Sequence, residues 1–179
     1  MTTGDLKVAS IKTDTIKNQA GTSAMTINTA GVVTQPTKPM FRAVRSVDQS
    51  ISNNSTTVIQ FNDKSSNSEL FDIGGYFNTG TYRYTPLVAG YYSFSMGVLL
   101  ESAHYCIGTI RKNGTGQFHN RAWSESGLYS TAQMSGILYL DGVDDYVDGT
   151  IYHNVGGAAN IRGLDAGLEH TYLCGFLIG

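Results

Sequence analysis

The chain has 179 residues and a net charge of −2, and only 15% of its residues are charged, against about 25% in an average soluble protein. No broad cationic surface is available to neutralise phosphates, so no nucleic-acid partner is expected. No stretch approaches the roughly 18 uninterrupted apolar residues of a membrane-spanning helix, so no membrane partner is expected either. The 21 glycines, 11 tyrosines and only 3 prolines favour many short strands joined by tight turns.

Residues 1–35 differ in composition from the rest of the chain. They contain no aromatic residue, and two short β-like pieces, residues 6–11 and 25–29, hold too few apolar side chains to bury a core alone. Such a segment needs a partner: its own C-terminal domain, other copies of the same chain or a larger assembly. We therefore predict an attachment or oligomerisation arm over residues 1–35 and a short stiff linker over residues 36–40, which holds two prolines. The first residues also lack the basic start and apolar run of a signal peptide, so secretion is not expected.

From residue 40 onward the pattern is that of successive strands. Tyr92, Phe94, Met96 and Val98 occupy every second position, which is the period of a half-buried strand, and residues 172–178 repeat this pattern. Further strands are predicted over residues 41–47, 57–62, 82–84, 105–112, 133–140 and 146–153, with a hairpin at Asn113-Gly114, where both residues tolerate a positive φ. No window keeps a helical period. The sequence predicts an all-β domain over residues 41–179, built as a sandwich or jelly roll.

The reactive residues form no recognisable catalytic or zinc-binding pattern. Cys106 and Cys174 are too few for a disulfide framework or a four-ligand zinc site, and their apolar neighbours predict buried free thiols. A bond between the two stays open, because it requires Cα atoms within about 7 Å of each other. The four histidines lack ligand spacing, and no nucleophile elbow or phosphate-binding loop is present. We therefore predict a protein that is not an enzyme.

One acidic cluster is a candidate for calcium. Asp141, Asp144, Asp145 and Asp148 lie within eight positions and offer the oxygen ligands that calcium prefers, although the EF-hand frame with its glutamate is missing. The alternative is a tight turn in which Asp144 or Asp145 binds backbone donors.

Residues 116–127 are the richest candidate for recognition. We predict a loop there, carrying Gln117, His119, Arg121 and Trp123. An aromatic face for stacking beside amide, imidazole and guanidinium donors is typical of a sugar-binding surface. Trp123 as a contact between subunits, or as a core residue, remains an alternative.

Several pieces of residues 41–179 follow the order of a known domain. They are residues 41–43, 58–61, 80–86, Ala89-Gly90-Tyr91-Tyr92-Ser93-Phe94-Ser95, Lys112-Asn113-Gly114, residues 142–147 and Thr171-Tyr172-Leu173-Cys174-Gly175-Phe176-Leu177. In this order they resemble the C1q/TNF-like jelly roll found at the ends of phage and bacterial fibres. The last of these pieces, residues 171–177, is similar to that family's closing strand, with Tyr172 where a phenylalanine is usual. The resemblance implies a jelly-roll sandwich that packs as a homotrimer.

The arm carries a fainter resemblance. Residues 10–16 and 25–33 are similar to short segments of marine phage tail and virion proteins, and no collagen repeat is present. Together the resemblances imply a non-enzymatic virion structural protein, assembled in the host cytoplasm and exposed on the particle surface. It would be a tail-fibre or appendage tip that contacts a host surface glycan, with residues 1–35 bound to other virion proteins. A capsid decoration or head-fibre protein, and a glycan-binding lectin or adhesin, are the alternatives.

Overall fold

The computed structural model describes residues 13–101, 105–125, 128–165 and 167–179. Within these ranges all regular secondary structure is β-strand. None of these residues belongs to a helix long and apolar enough to cross a membrane. The strands are β1 (Thr15–Lys17), β2 (Ser23–Ile27), β3 (Val33–Thr34), β4 (Met40–Val44), β5 (Gln49–Ile51), β6 (Thr57–Val58), β7 (Phe71–Ile73), β8 (Phe77–Asn78), β9 (Arg83–Tyr84), β10 (Gly90–Leu100), β11 (Tyr105–Lys112), β12 (Thr115–Trp123), β13 (Ser130–Leu140), β14 (Val147–His153), β15 (Ala159–Ile161), β16 (Leu164–Asp165), β17 (Leu168–Glu169) and β18 (Tyr172–Leu177). The all-β class predicted from the sequence is confirmed.

The chain divides into two compact units between Lys38 and Pro39. In the first unit, β1, β2 and β3 form an antiparallel sheet. The turn between β2 and β3 is closed by Asn28, whose Oδ1 accepts hydrogen bonds from the N–H groups of Ala30 and Val32, both at 2.9 Å. The predicted strand over residues 25–29 corresponds to β2, and the one over residues 6–11 lies outside the described residues. The roles assigned to residues 1–35 and 36–40 stay predictions.

The second unit is a sandwich of two antiparallel sheets. The first sheet has the order β5-β15-β10-β18-β4-β7, and β13 pairs with the other edge of β10 along its whole length. The second sheet has the order β12-β11-β14-β9-β8, with β6 beside β14. β16 and β17 form a small separate hairpin. Non-consecutive neighbours such as β18 and β4 make this a crossed topology rather than a simple meander.

The core lies between the two sheets and is rich in aromatic rings. Phe41 of β4 stacks on Tyr84 of β9 with ring centroids 4.1 Å apart, and Phe94 of β10 packs edge-on against Tyr84 at 6.2 Å. All three rings are fully buried, together with Tyr92 and Met96 on the inward positions of β10. Burying each such side chain stabilises the folded state by about 1.5–3 kcal/mol. The period-two pattern of β10 therefore defines the inner face as predicted.

Residues 57–62 form a shorter strand than the sequence predicts. Thr57 and Val58 pair with β14 and the Ile59 N–H donates to the Gly149 carbonyl at 2.9 Å, after which the chain turns and the Phe61 N–H donates to the Ile59 carbonyl at 3.1 Å. The side chain of Gln49 lies along the other edge of this segment. Its Nε2 donates to the Val58 carbonyl and its Oε1 accepts from the Gln60 N–H, both at 2.9 Å. A buried glutamine side chain thus pairs with the backbone groups on the edge that faces away from β14.

The predicted loop over residues 116–127 is wrong for most of its length. Residues 115–123 are β12, which pairs with β11 through a hairpin at Asn113-Gly114, where φ is 51° and 77°. The hairpin signal is thereby confirmed. The sequence pattern did not indicate this strand, because most of its outward positions are polar and only Phe118 and Ala122 pack toward the core. Two of the predicted residues, 126 and 127, lie outside the described residues.

Candidate functional site

β12 lies at the edge of the second sheet, and its alternation sorts the predicted binding residues onto one face. His119, Arg121 and Trp123 stand opposite Thr109, Ile107 and Tyr105 of β11, in that order, and all three are exposed. Since successive side chains of a strand point to opposite sides, these three share the outer face of the sheet.

Gln117, the fourth predicted residue, lies beyond a register shift between Ile110 and Arg111 of β11. Its Nε2 donates to the Thr115 carbonyl at 3.2 Å. Together with His119 it lines a shallow hollow between β12 and β13 rather than the surface around Trp123. The structure therefore brings His119, Arg121 and Trp123 onto one line and leaves Gln117 at the end of it.

Three aromatic rings form a continuous surface at this end of the second sheet, the aromatic shelf (Tyr105, Trp123 and Tyr152). Tyr105 lies edge-on to Trp123 with centroids 5.8 Å apart and edge-on to Tyr152 at 6.4 Å. The Tyr152 hydroxyl donates to Oδ1 of Asn54 at 3.1 Å, which fixes that ring. Trp123 is 77% exposed, so its assignment to the core is wrong. An open indole face is what a pyranose ring stacks on.

Sequence reasoning missed Tyr105 and Tyr152. Tyr105 begins a strand that was predicted correctly, and Tyr152 lies in a second one. What joins them to Trp123 is the register of β11 with β12 and of β11 with β14, where Ile107 faces Arg121 on one side and Tyr152 on the other. The alternation of Tyr105 with buried Cys106 was the available signal that this ring points outward.

Arg121 supplies positive charge next to the aromatic shelf. It lies two positions before Trp123 on the same face, and no carboxylate in the described ranges forms an ion pair with it. A free guanidinium offers five N–H donors in a fixed plane, suited to hydroxyl and carboxylate oxygens. The arrangement can therefore hold a sugar by stacking and by hydrogen bonds at once.

The acidic turn between β13 and β14 brings together three of the four calcium candidates. Carboxylate oxygens of Asp141, Asp144 and Asp145 lie within 4.8 Å of one another. Oδ1 of Asp141 accepts hydrogen bonds from the Val143 and Asp145 N–H groups at 2.9 and 3.2 Å, which lowers the pKa of Asp141. Asp141 therefore closes the turn. Oδ2 of Asp145 accepts from the Asp141 N–H at 3.0 Å, so the prediction that Asp144 or Asp145 binds backbone donors is confirmed for Asp145.

Asp145 is already occupied by protein donors. Burial raises the pKa of Asp145, but hydrogen bonds from Lys112 and Asn113, both at 2.6 Å, outweigh it and lower that pKa overall. Calcium needs six to eight oxygen ligands. The turn leaves Asp144 and one oxygen of Asp141 for a cation, so calcium binding stays a prediction with a sparse ligand set.

Asp148 lies outside that group. It is 1% exposed, and its two oxygens accept from Nε and Nη2 of Arg111 at 2.7 and 2.8 Å. Hydrogen bonding to Asp148 raises the pKa of Arg111. This side chain holds β11 to β14 across the sheet.

The two cysteines are free thiols in different sheets. Cys106 points into the core, and burial raises the pKa of its thiol to about 11. Cys174 lies half-buried on β18, and burial raises the pKa of its thiol as well. The prediction of a buried thiol is confirmed for Cys106 and holds only in part for Cys174.

The first sheet carries a second exposed surface, here called the uncharged face, on the outward positions of β10, β13 and β18. Tyr91 faces Tyr139 with ring centroids 5.4 Å apart, and Ser93 lies between Ile137 and Phe176. These four large side chains are each about half exposed. A contiguous apolar patch of this kind is typical of an interaction surface.

No family model and no curated protein matches the sequence. Among solved structures the chain is similar to the globular domain of zebrafish complement 1qA, with 18% identity, coverage of 79% of this chain and 98% of that one, and a TM-score of 0.56. Murine APRIL at pH 8.5 is 14% identical, with 78% and 98% coverage and a TM-score of 0.53. Eiger TNF from S. frugiperda is 8% identical, with 79% and 93% coverage and a TM-score of 0.53.

The fold is a C1q/TNF-like jelly roll. The fold predicted from the sequence is thereby confirmed. Domains of this fold are often trimeric and are generally binding or structural proteins rather than enzymes. At identities of 8–18% the likeness shows the fold alone.

Proposed function

We propose that this chain is a non-enzymatic phage virion structural protein, a trimeric tail-fibre or appendage tip on the particle surface that contacts a host surface glycan. The resemblance of residues 10–16 and 25–33 to phage virion segments supports the setting. The division into two units at Lys38 and Pro39 supports a projecting domain attached through residues 1–35 to other virion proteins.

The uncharged face supports the homotrimer. Tyr91, Ile137, Tyr139 and Phe176 form an apolar surface that a monomer would leave in water. Cyclic packing of three copies around an axis would bury the same patch on every copy. Tyrosines suit such an interface because the ring packs while the hydroxyl reaches a polar partner.

The aromatic shelf is the observation that carries the contact with the host. Trp123 is open to solvent, Tyr105 and Tyr152 extend its surface, and Arg121 stands beside it. Stacking and guanidinium hydrogen bonds give a weak single site. Three copies per trimer and several trimers per particle raise the overall avidity.

The test measures how strongly the labelled full-length protein adsorbs to cells of the strain on which the phage grows, and compares the unaltered protein with two variants. Replacing Trp123 and Arg121 by Ala should weaken adsorption at least about tenfold, since stacking and the charged hydrogen bonds are both lost. Val143→Ala is the matched control, because Val143 is an exposed apolar residue of the turn between β13 and β14, outside the aromatic shelf. Periodate oxidation of the cell surface should abolish adsorption of the unaltered protein.

Unaltered adsorption of the double variant contradicts the role of the shelf. Loss of the trimer in that variant would instead make the shelf a subunit contact. A capsid decoration or head-fibre protein shares this fold and differs in its position, so antibody labelling of intact particles separates head from tail. A lectin or adhesin would bind the glycan without labelling any particle.

A further inference from the structure

The small sheet of the first unit has one apolar face and one threonine face. Ile16 lies opposite Met25, and Ile27 lies opposite Val33. Met25 and Ile27 are two positions apart on β2, so all four side chains point to the same side. We call this set the apolar arm face.

The opposite side carries Thr15 beside Thr26, and Thr26 beside Thr34. This sorting covers residues 15–16, 25–27 and 33–34, and it ends at the register shift between Ile16 and Lys17, where Lys17 lies opposite Ser23. It is the pattern of a sheet with one buried and one solvated face.

The apolar arm face is nevertheless open. Ile16 is 49% exposed, Ile27 36% and Val33 51%. Residues 13–38 form a single layer of strands. Because a short sheet in water depends on packing against its apolar face, something has to cover these side chains.

The size of the face decides what can cover it. Full burial of an aliphatic side chain contributes about 1.5–3 kcal/mol, and these four are already partly buried. Association of free partners costs about 4–15 kcal/mol in lost translational and rotational freedom, and a stable interface usually buries over 1,200 Å², which is roughly 20–30 residues a side. Four side chains are too few to retain a free partner. An arm of another subunit in the same trimer is already held close by, so its association loses much less freedom. A short tether of this kind gives an effective concentration of about millimolar.

We propose that the apolar arm faces of the three copies in one trimer pack against one another, with the threonine faces outward. The inference rests on the homotrimer of the proposed function, which supplies the local concentration. None of the four side chains carries a charge, so identical faces meet without repulsion.

The experiment is disulfide trapping in the full-length chain. Val33→Cys should give disulfide-linked dimers under copper-phenanthroline oxidation, well above the background from Cys106 and Cys174 in the unaltered protein. Thr34→Cys is the matched control, because Thr34 is the next residue of β3 and points to the threonine face. It should give no more than the background. Adding Ile16→Asn to Val33→Cys should reduce trapping at least about fivefold while light scattering still reports a trimer.

Two results overturn the proposal. Equal trapping at positions 33 and 34 would mean that the arms collide without a fixed face, and no trapping at position 33 in a proven trimer would mean that the faces stay apart. A monomer by light scattering removes the trimer of the proposed function and this packing with it. Trapping that fails in an intact trimer overturns the packing alone.

Discussion

Two arginines of the second sheet illustrate how neighbours decide the role of a residue. Arg111 and Arg121 lie on adjacent paired strands, β11 and β12. Arg111 meets Asp148, which is almost fully buried, with two hydrogen bonds under 3 Å. Arg121 stands on the exposed outer face beside Trp123. The first is therefore a structural side chain and the second is free to bind a ligand.

Replacing Arg111 by Met should lower the free energy of unfolding by about 3 kcal/mol. The substitution leaves the Asp148 carboxylate buried without its bidentate partner, and removing one member of a buried pair costs about that much. Urea unfolding at one fixed protein concentration measures the change. Arg121→Met is the matched control and should stay within about 0.5 kcal/mol of the unaltered protein. Equal effects of the two substitutions would contradict this account of Asp148.

The turn between β13 and β14 shows that the neighbours of a whole element also decide which residue it needs. Gly142 has a φ of 72°, and an added Cβ would lie 2.4 Å from the Ala89 nitrogen and 2.8 Å from the Val88 carbonyl carbon. These are backbone atoms of the segment that leads into β10, so they cannot swing away as a side chain does. The turn therefore packs closely against another part of the sandwich, which requires glycine.

Gly142→Ala should destabilise the fold by about 3 kcal/mol, more than the backbone conformation alone explains. A positive φ costs alanine about 1–2 kcal/mol, and the clash with backbone adds a similar amount. Gly156→Ala separates the two contributions, since Gly156 has a φ of 92° but no heavy atom within 4 Å of the added Cβ. Thermal unfolding of both variants checks the difference. A cost for Gly142→Ala no greater than that for Gly156→Ala would mean that the close approach is unimportant.

At the scale of the whole molecule, two exposed apolar surfaces point to self-association. The uncharged face belongs to the jelly roll and the apolar arm face to the first unit. Surface charge normally keeps a protein with exposed apolar patches from associating, and only 15% of this chain is charged.

Light scattering of the full-length protein should give about 58 kDa, three times the 19.3 kDa of one chain. Tyr91→Lys with Ile137→Lys should dissociate it to a folded monomer, because charges introduced into a buried interface lose their hydration. Val143→Lys, an exposed apolar position in the turn after β13, should leave the trimer intact. A monomeric unaltered protein, or a double variant that remains trimeric, would rule out the uncharged face as the interface.

Local patterns in the sequence were enough to predict the class of fold and much of its inner face. Alternation along β10 and the Asn113-Gly114 hairpin are local signals, and local backbone geometry acts on them directly. The edge strand β12 was not predicted, because an edge strand needs few apolar residues. Its polar outward positions suggested a loop instead. Residues 57–62 were predicted as one strand, but β6 is short because the chain turns after Ile59, where the Phe61 N–H donates to the Ile59 carbonyl.

The candidate site depends on the pairing between strands. Trp123, Arg121 and His119 were found from residue type, yet their common face follows from the pairing of β12 with β11. Tyr105 and Tyr152 join them through strand registers that no local pattern records. Strand pairing also separates Asp148 from the other three aspartates, since it brings Asp148 to Arg111, which lies 37 positions away along the chain. Side-chain alternation is set within one strand, whereas register between strands is set by the packing of the whole sandwich.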